Sequence, residues 1–270
     1  MNTADAVMQR KSVRTFTDAP LRGEDAERIL AFSSDAGNPY GLAVEFRLLS
    51  AREHGLSSPV IVGADTYLAG KMKREAHAEE AFGFSFERVL LFAQTLGVSS
   101  VWIAGTLDRP AFERAAEVRE GEVMPCVSPL GYAAEKRSLR ELMMRKSIRA
   151  DTRLPFGDLF FDGSFDTPLT EARAGALQGA LELVRRAPSA VNRQPWRVVV
   201  TDGAAHFYEK RSRGYTDHSG WDIQKIDMGI ALCHFSLGAE AAGLNISFSL
   251  EDPALPAPPD TAYAASFLLT

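Results

Sequence analysis

Apolar residues recur at helical spacing in four stretches of the chain. Ala26, Ile29 and Leu30 predict a helix near 24–33, and Leu177, Leu181 and Val184 predict another near 170–186. Thr170 suits an N-cap for the second and Pro188 a stop. Phe86, Val89, Leu90, Ala93 and Leu96 share one face of a predicted helix over 82–96; Leu232, Phe235, Leu237 and Ala239 mark another over 228–242. Gly97 and Gly243 follow these two, where a left-handed C-cap is wanted. Short apolar runs predict strands at 43–48, 98–103 and 123–132, and again at 196–200, 244–250 and 263–269. Helices and strands mix without strict βαβ alternation, so the fold class is α+β.

The elements come in the same order twice. Arg10-Lys11-Ser12-Val13-Arg14 returns as Arg145-Lys146-Ser147-Ile148-Arg149. After each copy come a helix, a turn with an asparagine (Asn38 or Asn192), a strand, a long helix and further strands. The chain therefore reads as two repeats, 1–138 and 139–270, intertwined as one globular unit. The second repeat carries extra sequence at 152–170, with Phe156, Phe160, Phe161 and Phe165. That segment fits either a lid or arm, or a surface loop with its own apolar anchor.

Composition narrows the partners. Of 270 residues, 46% are hydrophobic and 24% charged, ordinary for a globular protein with a sizeable core. A net charge of −5 disfavours a nucleic-acid partner. No apolar run approaches the roughly 18 residues that would span a bilayer, and the opening residues lack a secretory signal, so the expected location is the cytoplasm. Cys126 and Cys233 sit in apolar contexts and read as buried free thiols. The five histidines are scattered, without metal-ligand spacing, so no protein-bound metal is expected.

The densest chemistry lies at 187–196, Ala-Pro-Ser-Ala-Val-Asn-Arg-Gln-Pro-Trp. Ser189, Asn192 and Gln194 are neutral hydrogen-bonding groups held between two prolines and beside Trp196. A flat heterocycle with a polar rim wants such partners. Arg10, Ser12 and Arg14 are spaced by two, which puts them on one side of an extended segment. Two guanidiniums and a hydroxyl can grip a phosphate; alone, these residues also fit a solvated basic turn. A flat ring with a phosphate describes flavin mononucleotide (FMN). Residues 136–149 are basic and hold the second copy of the motif, fitting either a solvated face or an anion site. The strand-like run 98–103 flows into Gly105-Thr106, where backbone N–H groups can approach a ligand closely.

Together these residues resemble the flavin-dependent nitroreductase family. Arg10–Phe16 resembles its phosphate-binding start, and Ala187–Trp196 its Ala-Pro-Ser-x-x-Asn-x-Gln-Pro-Trp segment. Leu96–Ile103 resembles the strand beside the flavin ring, and Leu130-Gly131-Tyr132 the end of its last core strand. Ordinary members of the family are dimers whose two flavins each draw on both chains. Here the basic start lies in the first half and the intact Ala-Pro-Ser segment in the second. That arrangement, with Asp227–Phe235, resembles the branch in which one chain imitates the whole dimer. The implied fold is a nitroreductase-like α+β fold duplicated within one chain.

The resemblance places Arg10, Lys11, Ser12 and Arg14 at the FMN phosphate and ribityl chain. Pro188, Ser189, Asn192 and Gln194 would line the flavin, Gly105 and Thr106 would lie near its N5, and Arg137, or Lys136, would reach the phosphate. The first-half counterpart of 187–196 is Ser33–Leu42, which lacks Pro-Ser and Gln-Pro-Trp, and the second-half counterpart of Gly105 is Glu251, whose carboxylate would oppose an electron-rich reduced flavin. A second flavin site is thus eroded, and the implied functional unit is a monomer with one FMN. The implied activity is electron transfer from NADH or NADPH to a small electron-poor acceptor such as a nitroaromatic or quinone, with no catalytic side chain singled out. The alternative is a flavin-binding or flavin-less protein acting as a sensor or binding module.

Overall fold

Thr170 caps a helix, accepting from Arg173 N, and Gly97 and Gly243 close two others with φ of 78° and 67°. The computed structural model describes residues 3–212 and 220–270. Contacts divide the chain after Ala150, beyond the boundary at 138 read from the sequence.

The first unit runs α1 (Thr3–Gln9), α2 (Gly23–Ser34), β1 (Val44–Ser50), α3 (Ala51–His54), β2 (Thr66–Lys73), α4 (Ala78–Thr95), β3 (Ser99–Ser100), α5 (Arg109–Ala115), β4 (Glu122–Val123), β5 (Val127–Gly131) and α6 (Leu139–Ser147). Its sheet has the order β1-β2-β5-β3, all neighbours antiparallel, with β4 also paired to β2. Strand β2 is central and buried on both faces. One face, at Gly70, meets the rings of Phe82 and Phe86 from α4; a Cβ there would sit 2.9 Å from both. The other carries Tyr67 and Ala69 into a cluster with Phe112 of α5, Val101 and Ile103. Helix α4 is apolar nearly all round, as a core helix must be.

The second unit runs α7 (Phe156–Leu159), β6 (Phe160–Asp162), α8 (Glu171–Ala174), α9 (Gln178–Arg186), β7 (Trp196–Thr201), β8 (Ala204–Lys210), α10 (Ile223–Ala241), β9 (Ile246–Ser249) and β10 (Thr261–Leu269). Its sheet order is β6-β7-β8-β10-β9. The antiparallel path β7-β8-β10-β9 repeats the order β1-β2-β5-β3, and in each unit the long helix follows the second strand of that path. Phe207 of β8 meets Phe235 of α10 edge-on. Gly238 lets α10 touch α9: a Cβ there would lie 2.5 Å from Ala180 Cα.

Three expectations are corrected. Segment 152–170 is neither lid nor surface loop: it forms α7 and β6, β6 pairs in parallel with β7, and Phe156, Leu159 and Phe160 are buried. The predicted strand 98–103 is cut to two residues because Val101 N donates to Ser128 Oγ instead of a backbone carbonyl; only Ile103 pairs again, with Val127. The helix expected near 170–186 is broken at Gly175 (φ 53°) between α8 and α9, and in the first unit Arg145, Lys146 and Ser147 of the second basic motif are the last residues of α6. Ser138 caps that helix by accepting from Glu141 N, and its basic last turn suits the negative helix end.

Candidate functional site

In the first unit, residues 10–15 leave α1 as an extended segment. Ser12 bridges Ser100 in parallel and Val13 N donates to Ser100 O at 3.1 Å. Extended backbone alternates its side chains, so residues 10, 12 and 14 point one way and 9, 11, 13 and 15 the other.

On the first side Arg10 is buried, its Nε 3.6 Å from Oε1 of Glu87 on α4. Glu87 is fully buried and accepts from Trp102 Nε1 at 2.7 Å. Arg14 is 8% exposed. Burial holds its guanidinium below the usual arginine range, with Glu141 opposing and Arg145 adding to that effect. Arg10 Nη1, Arg14 Nε, Arg14 Nη1 and Ser100 Oγ are all buried without a hydrogen-bond partner. Arg145 is also buried, and its Nη1 donates to Ser12 O at 3.1 Å. The residue that resembled a relic of a second site therefore braces the first motif. Buried donors on cations are costly unless an anion meets them. Such a donor set fits a phosphate.

On the other side lies a cavity of about 680 Å³, lined by Lys11, Lys136 and Arg137 among others. Lys11 thus lies on the other side of the extended segment from Arg10, Ser12 and Arg14, while Arg137 reaches Glu141 Oε1 at 3.4 Å, the carboxylate that also accepts from Arg14 N. The split follows from strand alternation, which a roll of basic residues hides. Gly105 and Thr106 are not among the residues lining this cavity. They lie in the loop before α5, where Ser58 Oγ donates to Thr106 O at 2.6 Å and Arg109 Nη2 to Ala104 O at 2.6 Å. A Cβ at Gly105 would meet nothing within 4 Å, so neither packing nor backbone sign requires glycine there.

In the second unit Pro188 follows α9 and opens a loop that is braced from within. Gln194 N donates to Ser189 Oγ at 2.9 Å. Asn192 Nδ2 donates to Thr152 O, and its Oδ1 accepts from Arg153. Gln194 Oε1 accepts from Leu154 N at 2.9 Å, and its Nε2 donates to Asn192 O. The three polar side chains singled out from the sequence are engaged with their own loop and with residues 152–154. Val191, Asn192 and Gln194 have φ of 42°, 60° and 51°. Left-handed backbone at three non-glycine residues, one β-branched, is strain of the kind that gathers at functional sites.

Asp227, near the start of α10, pins this loop: both carboxylate oxygens accept from Ala190 N, at 3.1 and 3.0 Å. Burial pushes its carboxyl well above the usual range, the bond from Ala190 opposes, and Asp222 and Glu209 add to the rise. Sequence reasoning missed Glu87, Arg145 and Asp227 as site residues. The one sequence cue was an ionisable residue inside an apolar helix, present at Glu87 and Asp227 and absent at Arg145.

The fold defined by these sheets and helices is nitroreductase-like. A putative nitroreductase from Thermotoga maritima MSB8 superposes with a TM-score of 0.65 at 18% identity, covering 100% of this chain and 93% of that one. The family described as putative TM nitroreductase matches residues 2–239, and the chain belongs to that family, hence to the oxidoreductases. Partial likenesses extend to a putative NADH dehydrogenase/NAD(P)H nitroreductase from Bacteroides thetaiotaomicron VPI-5482 (TM-score 0.44, 22% identity, 51% of this chain and 90% of that one). An FMN-dependent nitroreductase from Clostridium difficile R20291 is similar over 49% of this chain and 88% of its own (TM-score 0.43, 18% identity). Among curated proteins, none matches this chain. Among the described residues, no helix is long and apolar enough to cross a membrane.

Proposed function

We propose that the protein is an FMN-dependent oxidoreductase that takes electrons from NADH or NADPH and passes them to a small electron-poor acceptor, such as a nitroaromatic or a quinone. One chain, with its two units standing for the two subunits of ordinary members, is the functional entity. The observation that carries this reading is the set of buried, unpartnered nitrogens on Arg10 and Arg14 beside Ser12 and Ser100. They fit a phosphate monoester, and the nitroreductase-like fold supports the flavin that bears it.

When bound, FMN supplies the two-electron chemistry. The chain supplies the rest. Arg10, Ser12 and Arg14 hold the phosphate, with Glu87 orienting Arg10 and Arg145 fixing the backbone at Ser12. Pro188, Ser189, Asn192 and Gln194 shape a strained loop that Asp227 fastens to α10. Its role toward the flavin is to present a rigid wall, since its polar atoms are used internally. Gly105 and Thr106 remain candidates for the ring edge through backbone N–H groups.

The test is anaerobic absorbance of the FMN-loaded protein mixed with NADH or NADPH. Bleaching of the flavin, then recovery on adding a nitroaromatic or quinone, is expected. Parallel double-reciprocal lines in steady state would show donor and acceptor alternating in one slot. The internal engagement of Ser189, Asn192 and Gln194 favours a second reading, a binding module without turnover. A flavin that stays oxidised with both donors in excess would select it.

A further inference from the structure

Helix α6 of the first unit is built inside out. Its buried residues are Glu141 and Arg145, one turn apart on one face. Leu139 and Met143, one turn apart on the opposite face, are 78% and 67% exposed, and Leu142 beside them is 46% exposed. Among the described residues, Leu139 and Met143 are the most exposed of the large hydrophobic side chains. The helix cannot turn over. Glu141 accepts from Arg14 N and Thr15 Oγ1, and Arg145 donates to Ser12 O, so both are held inward. Three adjacent apolar side chains in water are unfavourable, and such patches mark surfaces that something covers. We propose that this face docks on a bilayer rich in anionic lipid, lying on it without crossing it.

Charge selects the occupant. Arg140, Lys146 and Arg149 are exposed on the helix and just after it. Between residues 139 and 149 the only acid is Glu141, which is buried. The nearest exposed acids in sequence are Glu135 and Asp151. The outer face therefore offers apolar and positive groups together, on a chain whose net charge is −5. A second copy is a poor match, because a two-fold contact through this face sets its cations against their own copies. An anionic bilayer meets both features. Leu139, Leu142 and Met143 dip to the acyl boundary, while the long stems of Arg140 and Lys146 let their charges reach the headgroup phosphates. At nine residues the helix is far shorter than the roughly 20 that a span needs.

The experiment is co-sedimentation of the full chain with sucrose-loaded vesicles, either of phosphatidylglycerol mixed with phosphatidylcholine or of phosphatidylcholine alone. Binding to the anionic vesicles is expected, falling as salt rises, with little on the neutral ones. Lys146→Gln should weaken it about fivefold. Leu139→Ser/Met143→Ser should weaken it about tenfold or more, with a thermal unfolding midpoint close to the parent's. Emission from a Leu139→Trp variant should shift to the blue on anionic vesicles and not on neutral ones. The proposal is overturned if anionic vesicles do not carry the protein down, or if the serine double variant binds them like the parent. It is also overturned if excess FMN releases the protein from the vesicles, since lipid phosphate would then be occupying the Arg10–Arg14 site. Two further outcomes would give the face to another occupant: a dimer in light scattering that the serine variant dissociates, which means a second copy, or binding to polyglutamate without binding to vesicles, which means an acidic protein. None of these readouts needs a bound flavin or turnover, so failure of the flavin reading leaves the test intact.

Discussion

Arg10 and Arg145 differ in their partners, which the five-letter match conceals. Arg10 keeps a buried, unpartnered nitrogen, whereas Arg145 donates to the backbone of the motif itself. A hydrogen bond to a charged group contributes about 1.5–3 kcal/mol, so Arg10→Ala should weaken FMN binding about 10- to 150-fold. Arg145→Ala removes a support and not a phosphate ligand; the expected loss is smaller, about 2- to 12-fold, from a net bond of roughly 0.5–1.5 kcal/mol. Flavin fluorescence titration measures both. Equal losses would mean that Arg145 reaches the phosphate directly, and no loss would mean that Ser12 needs no brace. Asp227 yields a prediction with a sign. Its folded carboxyl is raised, chiefly by burial. It therefore binds its proton more tightly folded than unfolded, a contribution present at low pH and lost as pH rises from the ordinary aspartate value toward the raised one. Asp227→Asn keeps an acceptor for Ala190 N without the buried charge. Urea unfolding should show it at least as stable as the parent at neutral pH, with a flatter pH dependence across that window. Asp227→Ala leaves the Ala190 N–H unpaired and should cost about 1–3 kcal/mol. An asparagine variant as damaged as the alanine at neutral pH would show that the ionised form is required.

At the scale of elements, one glycine sets how closely two helices of the second unit approach. A Cβ on Gly238 would lie 2.5 Å from Ala180 Cα and 2.9 Å from Ala180 Cβ. Backbone cannot yield cheaply, so Gly238→Ala should destabilise by about 1–3 kcal/mol or more. A Cβ on Gly179, in α9 itself, would meet nothing within 4 Å. There the same substitution should stabilise by up to about 1 kcal/mol through helix propensity. Denaturant midpoints of the two variants should move in opposite directions. If both fall alike, the helix contact at Gly238 is not tight in solution. The segment 156–162 belongs to this scale too. Its aromatic residues fit a lid or arm and an anchored surface loop equally well in the sequence, yet Phe160 pairs with Val198 in an edge strand. An apolar run long enough for a strand does not announce whether a sheet edge waits for it.

At the scale of the molecule, two sheets of like strand order but unlike loops imply unequal sites. The loop over 187–194 is strained and pinned by a buried carboxylate. Its first-half counterpart, residues 33–42, is organised around Asn38, whose Oδ1 accepts from Tyr40 N and Leu42 N and whose Nδ2 donates to Leu42 O and Ser85 Oγ, with Arg88 donating to Gly37 O. The expectation is one FMN per chain and a monomer in light scattering, checked by flavin titration against protein concentration. Two equivalent flavins per chain, or a dimer that dissociates only with loss of flavin, would overturn it.

Local pattern was enough for whatever is decided locally. The apolar spacing of α2, α4, α9 and α10 and the glycine stops depend on neighbours a turn or so away, and they stand in the structure as read; Thr170 is a cap, but of the short α8 and not of the whole stretch to 186. So does the alternation that puts Arg10, Ser12 and Arg14 on one side. Strands β2 and β8 escaped because both faces are buried, so apolar and polar residues do not alternate along them; Lys71, His206 and Glu209 lie among their buried residues. Only the tertiary structure decided that Arg145 supports the first motif, that Glu87 and Asp227 serve the two loops, and that Lys11 faces away from Arg10. The pairs that meet there are far apart in the chain, and their meeting depends on which strands pair and how the helices lie on them. That is a property of the sheet as a whole, and no window of residues contains it.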